Sequence, residues 1–131
     1  MKVYRCAPEE HDRAGAWISH LPVLVSTVAI AACEGEPDEK VLALARQFAS
    51  SGFRDTSRVG GNPELGLMMA QYNREALIPA LQGYRASLER LTRAVEREDW
   101  VMLEQTLLVT QAARPQYVEQ YLEHSGKVRC R

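Results

Sequence analysis

The sequence predicts an all-α domain of about five helices, one of them long and bent. Three observations carry that reading. Apolar residues recur at spacings of three and four along most of the chain. Helix-start chemistry appears twice, as proline and acids at Pro8-Glu9-Glu10 and as cap, proline and acid at Asn62-Pro63-Glu64. No sustained alternation of apolar and polar residues competes as a strand pattern. The 131 residues make one ordinary domain, and 46% apolar with 25% charged residues suits a packed core rather than disorder.

Taken in order, Lys2–Cys6 reads as a short strand with no evident partner. Pro8 and the acids after it start the first helix, where the positive end of the helix dipole favours them. Trp17, Ile18, Leu21, Val25, Val28, Ala29 and Ala32 then follow at helical spacing, and the helix ends near Cys33, before Gly35 and Pro37. Pro22 lies inside this run and removes one amide donor, so a kink or break is expected there, with the Ser19 or Ser26 hydroxyl meeting the freed backbone groups. Asp38 is the expected N-cap of a second helix, from Glu39 to about Ser50. Ser51 to Asn62 carries glycines and charges with little periodicity and reads as a loop. A long third helix starts at Pro63 and carries Leu65, Met69, Tyr72, Ala76, Ala80, Tyr84, Leu88, Leu91 and Val95, with bends at Pro79 and Gly83. A fourth begins near Asp99 with Trp100, Leu103, Leu107 and Thr110 on one face. Pro115 starts a short last helix with Tyr117, Val118 and Tyr121, and the tail from Ser125 is expected to be loose.

Composition excludes several function classes. Sixteen basic against seventeen acidic residues argue against a general nucleic-acid binder. The most apolar stretch, Ile18 to Cys33, is interrupted by His20, Pro22, Ser26 and Thr27 and is shorter than the roughly 20 residues of a membrane span, so it reads as a buried helix of a soluble, cytoplasmic protein with no membrane partner. The start lacks the apolar core of a secretory signal. Three widely spaced cysteines, Cys6, Cys33 and Cys130, read as free thiols. No GxG, GxxxxGK[ST], HExxH or GxSxG occurs, and the histidines do not cluster with cysteines, so no nucleotide or metal site is expected in the chain.

What remains is Ser51-Gly52-Phe53-Arg54-Asp55-Thr56-Ser57-Arg58. Arg58 offers a planar donor fork for a carboxylate, and Asp55 is placed to hold that guanidinium. The plainer reading is a solvated loop whose ion pair only fixes the chain. His20, beside Pro22, is either a locally hydrogen-bonded histidine or one turned toward a cleft by the opened helix. Met68-Met69, Tyr72 and Tyr84 read as core or interface packing.

These residues also fall into a pattern. Ile18-Ser19-His20-Leu21-Pro22 resembles the S-H-L-P helix motif of prephenate/arogenate dehydrogenases, and Gly52-Phe53-Arg54-Asp55-Thr56-Ser57-Arg58-Val59 resembles their GF-[RK]-D-x-[ST]-R segment. Asn62-Pro63-Glu64-Leu65 and Tyr72-Asn73-Arg74-Glu75-Ala76-Leu77 continue in register, so the likeness runs from about residue 3 to about residue 120. The resemblance implies a helical dimerisation domain of the 6-phosphogluconate-dehydrogenase C-terminal type over residues 8–124. Residues 1–7 would be the remnant of the last strand of a nucleotide-binding domain that this sequence does not contain, and 125–131 a loose tail. The chain would then be the C-terminal part of such an enzyme, either a truncated product or an isolated domain.

The family reaction is an oxidative decarboxylation in tyrosine biosynthesis, with NADP or NAD as cofactor and arogenate or prephenate as substrate. The resemblance implies that Arg58 binds a substrate carboxylate, that Asp55 orients Arg58 or gates the site, and that His20 lines the pocket, with Gly52 and Asn73 as further substrate-binding residues. It places the group that polarises the ring hydroxyl in the nucleotide-binding domain, so no catalytic residue, metal or bound cofactor is expected in this chain, which would be inactive alone. Many members end the DPxxW motif in tryptophan. Here Asn62-Pro63-Glu64-Leu65-Gly66 ends in glycine, a form that resembles the arogenate-preferring, NADP-using branch. A homodimer is expected, because Met68, Met69, Leu77, Leu81, Leu88 and Leu91 widen the third-helix stripe beyond what one small core can hide. A stand-alone aromatic-acid-binding module and a purely structural helical dimer are the rival readings.

Overall fold

The computed structural model of the chain describes residues 5–124, with side chains through residue 118. Among these residues there is no strand, in keeping with the all-α expectation; Lys2–Tyr4 of the expected strand and the tail from Ser125 lie outside them. The helices are α1 (Pro8–Gly15), α2 (Leu21–Glu34), α3 (Glu39–Phe48), α4 (Ser51–Ser57), α5 (Pro63–Tyr72), α6 (Arg74–Glu96) and α7 (Trp100–His124). A π-helical segment, Ala16–His20, joins α1 to α2, and a 3-10 segment, Arg58–Gly61, follows α4. The chain divides into two compact units, Cys6–Gly83 and a second from Tyr84 onward.

Local chemistry sets several boundaries as expected. Pro8 opens α1, and the Glu10 carboxylate reaches back to accept from the Ala7 N–H at 3.1 Å. The Asp38 carboxylate accepts from the Lys40 and Val41 amides at 2.8 and 3.2 Å and caps α3. The Asn62 side chain does the same for Leu65 at 3.1 Å, ahead of Pro63 at the first position of α5.

Four expectations are corrected. Ser51–Asn62 is not an open loop: it forms α4 and the 3-10 segment. The Ser57 hydroxyl donates to the Phe53 carbonyl at 2.6 Å, and the segment leans on α2 through long-range contacts described below. The long third helix is two helices, broken at Asn73 (φ −125°, ψ 32°), while α6 runs on through Pro79 and Gly83. Gly83 instead gives room to an aromatic ring, since a Cβ there would lie 2.6 Å from Trp17 Cη2. Pro115 does not start a helix; it lies inside α7. No polar cap precedes it, because residue 114 is arginine.

The fourth correction concerns Ile18–Cys33. Its α-helical bonding is interrupted before Pro22, as expected, by the π segment, in which the Leu21 N–H donates to the Ala16 carbonyl five residues back. The Ser26 hydroxyl, however, serves another element and not the freed backbone. Nor is the run buried in the single chain: Leu21, Val23 and Ser26 are, but Ile18 is 66% exposed and Val28 54%. By length and composition Pro8–Glu34 would suffice to cross a membrane, a test that core helices also pass.

The core of the first unit is thin. Ala16, Leu21, Val23, Leu77 and Ala80 are its buried apolar residues. In the second unit α6 ends in a reversed turn. Glu98 adopts a left-handed conformation (φ 54°), and the Asp99 N–H returns to the Ala94 carbonyl at 2.8 Å. Asp99 then caps α7 by accepting from Met102 N–H at 3.1 Å. Helix α7 is apolar on several sides and leaves Val101, Leu107, Leu108 and Val109 exposed.

Candidate functional site

Two groups of the expected site residues are built by different local means. The first is a corner around His20. Pro22 has no N–H to give the Ile18 carbonyl, and the turn before it opens to the wider π spacing, with His20 as its last residue. Facing it is Asn73, in the break between α5 and α6. Its backbone N–H still closes α5 on the Met69 carbonyl at 3.1 Å, and its carbonyl accepts from Leu77 at 2.9 Å to begin α6. The side-chain amide Nδ2 donates to the Asp12 carbonyl at 2.8 Å and lies 3.1 Å from His20 Nδ1. Asn73 thus ties α1, the π segment and the α5–α6 junction together. Both side chains are half-buried. Beside them lies a groove of about 740 Å³, walled by Asp12, Arg13, Trp17, Tyr72, Asn73 and Arg74 among others.

The second group rides on α4 and the 3-10 segment. The Ser26 hydroxyl, 3% exposed, donates to the Thr56 carbonyl at 2.5 Å. Gly60 packs directly on the α2 backbone: a Cβ there would stand 2.8 Å from Ser26 C and from Thr27 N. Between these two attachments sits Arg58, exposed, at the start of the 3-10 segment. Asp55, Arg54 and Gly52 are exposed too. The expected Asp55–Arg58 ion pair is not formed in the single chain; none of the ion pairs among the described residues joins them. Three residues at helical pitch place the two on one side of the segment, but both heads stay in water. A Cβ at Gly52 would meet nothing within 4 Å, so no close approach within this chain demands glycine there.

Among the described residues no hydrogen bond links the two groups directly. They are connected by α2. His20 precedes Ser26 by six residues, about 9 Å along a helix axis. Sequence reasoning named His20, Asn73, Asp55 and Arg58, gave Ser26 a different partner and missed Gly60; these last two hold the arginine-bearing segment in place. The Gly60-Gly61 pair was the available signal. At Gly66, the end of the N-P-E-L-G motif, an added Cβ would stand 3.6 Å from Val23 Cγ1, an ordinary contact.

Elsewhere the structure offers ordinary features. Glu34 and Arg46 form a two-pronged ion pair, with Nε to Oε1 at 3.2 Å, and the carboxylate holds the guanidinium above its usual pKa. Cys6 and Cys33 are free, exposed thiols. No cluster of three or more metal-ligating side chains occurs among the described residues.

Comparison with known proteins gives this geometry its context. Residues 7–109 match the family described as "Prephenate dehydrogenase, dimerization domain". The chain is 27% identical over 94 residues to a prephenate dehydrogenase of Bacillus subtilis, covering 71% of this chain and 25% of that protein. It is 32% identical over 107 residues to a cyclohexadienyl dehydrogenase of Zymomonas mobilis, covering 81% of this chain and 36% of that protein. Among solved structures, the arogenate dehydrogenase of Synechocystis superposes with a TM-score of 0.87 at 53% identity, over 89% of this chain and 42% of that one. The A. aeolicus prephenate dehydrogenase has the same fold, with a TM-score of 0.77 at 24% identity, over 88% of this chain and 40% of that one. The chain therefore spans well under half the length of these relatives. With the family match covering most of its residues, it belongs to the prephenate dehydrogenase dimerization-domain family.

Proposed function

We propose that residues 8–124 are the dimerisation and substrate-binding part of a cytoplasmic, NADP-dependent arogenate dehydrogenase, with prephenate and NAD as the second choices of substrate and cofactor. The Synechocystis arogenate dehydrogenase, at 53% identity, supports arogenate as the first choice of substrate, and the N-P-E-L-G form of the Asn62–Gly66 motif, which resembles that of the NADP-using branch, supports both choices. In the reaction proposed, a hydride passes from the hydroxyl-bearing ring carbon to a nicotinamide, the ring carboxylate leaves as CO2, and the ring becomes aromatic. The nicotinamide is held by a nucleotide-binding domain, and this chain's residues hold the substrate.

One observation carries the reading: Arg58 is an exposed guanidinium on a backbone fixed to α2 at both sides, by Ser26 and by Gly60. A side chain so mounted keeps its fork geometry for a carboxylate without first ordering a loop. Asp55, on the same segment, orients Arg58 once substrate has displaced water. His20 contributes a second polar contact, and Asn73 supports it. The partner is a second copy of the chain, since an α7 that leaves apolar residues exposed on several sides needs a cover.

The experiment joins the chain to the nucleotide-binding domain of a relative such as the Synechocystis enzyme and follows NADPH formation with arogenate and with prephenate. The expected result is a dimer that oxidises arogenate and uses NADP, while the chain alone does neither. A folded, dimeric fusion that binds neither substrate overturns the proposal.

A further inference from the structure

The amide of Asn73 fixes the chemistry of His20 through hydrogen-bond direction. A backbone carbonyl only accepts, so the contact to the Asp12 carbonyl at 2.8 Å fixes which end of the Asn73 amide faces this corner: the NH2 end. That same nitrogen lies 3.1 Å from His20 Nδ1. An amide nitrogen has two hydrogens and no lone pair to offer. One hydrogen goes to Asp12, and the other meets Nδ1. Nδ1 must therefore accept, and the single proton of a neutral imidazole must sit on Nε2.

Nε2 itself has no hydrogen-bond partner among the described residues, and no buried polar side-chain atom there is left without one. The Nε2–H is therefore a donor that reaches solvent. We infer that Asn73 is a positioning residue that holds His20 in its neutral Nε2–H tautomer, so that His20 meets a ligand as a hydrogen-bond donor to an acceptor oxygen and not as a proton-abstracting base. The ligand part of this inference rests on the substrate-binding reading above; the tautomer does not. It also changes the place of Asn73, from a residue that touches substrate to one that acts through His20. The arrangement depends on the break at Asn73, because an asparagine in mid-helix would have its side chain on a different course. It depends equally on the π segment, which brings His20 within reach.

The test is nitrogen-15 NMR of the histidine rings in the full chain, at about pH 8, above the ordinary imidazole range. His20 is assigned by the signals lost in His20→Gln. The expected result is a pyridine-like Nδ1 and a pyrrole-like Nε2, without the minor Nδ1–H population of a free imidazole. In Asn73→Ala that minor form should appear, a shift in the ratio on the order of five- to tenfold, the factor one net hydrogen bond is worth. In Asn73→Asp a carboxylate replaces the donor, and Nδ1 should become protonated. A merely structural asparagine would not invert the tautomer. A wild-type Nδ1–H population equal to that of free imidazole overturns the inference even if neither variant folds. So does an Asn73→Asp ring whose Nδ1 remains bare. Substrate binding by the fusion protein is unaffected by either result, so failure here and failure of the substrate-binding reading are distinguishable.

Discussion

Replacing Gly60 by alanine tests how the arginine-bearing segment is held. The new Cβ would lie 2.8 Å from Ser26 C and Thr27 N and 3.0 Å from Ser26 Cβ. Carbon contacts are comfortable at about 3.5–4.0 Å, so the 3-10 segment must retreat by several tenths of an ångström or more from a helix backbone that cannot yield. The Ser26–Thr56 hydrogen bond lies on the same contact and would lengthen with it. Overpacking of this kind costs about 1–3 kcal/mol, and replacing glycine in a helical conformation returns about 0.5–1 kcal/mol. The difference spans about 0–2.5 kcal/mol, and contacts of 2.8 Å to backbone atoms put Gly60→Ala in its upper part, a loss of about 1–2 kcal/mol. Gly52→Ala is the matched control. It lies in α4 with nothing within 4 Å of the added atom, so only the gain of about 0.5–1 kcal/mol applies. At about 3–5 °C per kcal/mol, the two variants should melt roughly 5–15 °C apart on opposite sides of wild type. Thermal melts by far-ultraviolet circular dichroism at one fixed protomer concentration measure this, the concentration being held because association raises Tm. A Gly60→Ala melt at or above wild type would refute the reasoning, as would a Gly52→Ala variant that falls as far.

Ser26→Ala removes the hydroxyl that donates to the Thr56 carbonyl; a loss of about 0.5–1.5 kcal/mol is expected, read as a lower denaturant midpoint with an unchanged slope. Glu98→Gly should raise Tm by a few degrees, because glycine relieves a left-handed residue at the α6 terminus that costs about 1 kcal/mol as glutamate; an unchanged or lower Tm would count against the strain. In the fusion protein, Arg58→Ala should weaken substrate binding by about 2–4 kcal/mol, mostly in KM, with Arg58→Lys recovering part of it. If Arg54→Ala has that effect and Arg58→Ala does not, the assignment is wrong. Light scattering of the chain at micromolar concentration should give twice 14.7 kDa, and a stable monomer would leave the apolar surface of α7 unexplained.

Much of the fold was legible because it rests on neighbours in sequence. Asp38 caps amides two and three residues on, and Asn62 does the same before Pro63, so a short window contains both partners. The errors fall where the partner is remote. Ser51–Gly61 has weak helical chemistry of its own, and its conformation is secured by Ser26, thirty residues away from Thr56. The helix break at Asn73 is paired with a carbonyl 61 residues earlier, which no local pattern reveals. Pro115 misled because proline at a helix start and proline tolerated inside a helix look alike in a short window: Arg114 offers no polar cap, but neither does Ala7, and α1 starts at Pro8 all the same. Of the candidate site, the resemblance supplied the residues to look at, and the structure supplies where they sit. The expected Asp55–Arg58 pairing is not formed, because charges at compatible spacing still prefer water when nothing desolvates them.

The π segment has a further consequence, for insertions and deletions. It holds one more residue per turn than the helix on either side, so it acts as a built-in phase shift of about 100° between α1 and α2. Removing a single exposed residue such as Ser19 would close that extra space and force Pro22 into uniform α-helical winding, where its ring meets the carbonyl four residues back. It would also rotate everything upstream about the helix axis. The Trp17 ring would leave its bed over Gly83, and the Asp12 carbonyl would leave the Asn73 amide. One residue of length between Gly15 and Leu21 therefore governs contacts with parts of the chain more than fifty residues away.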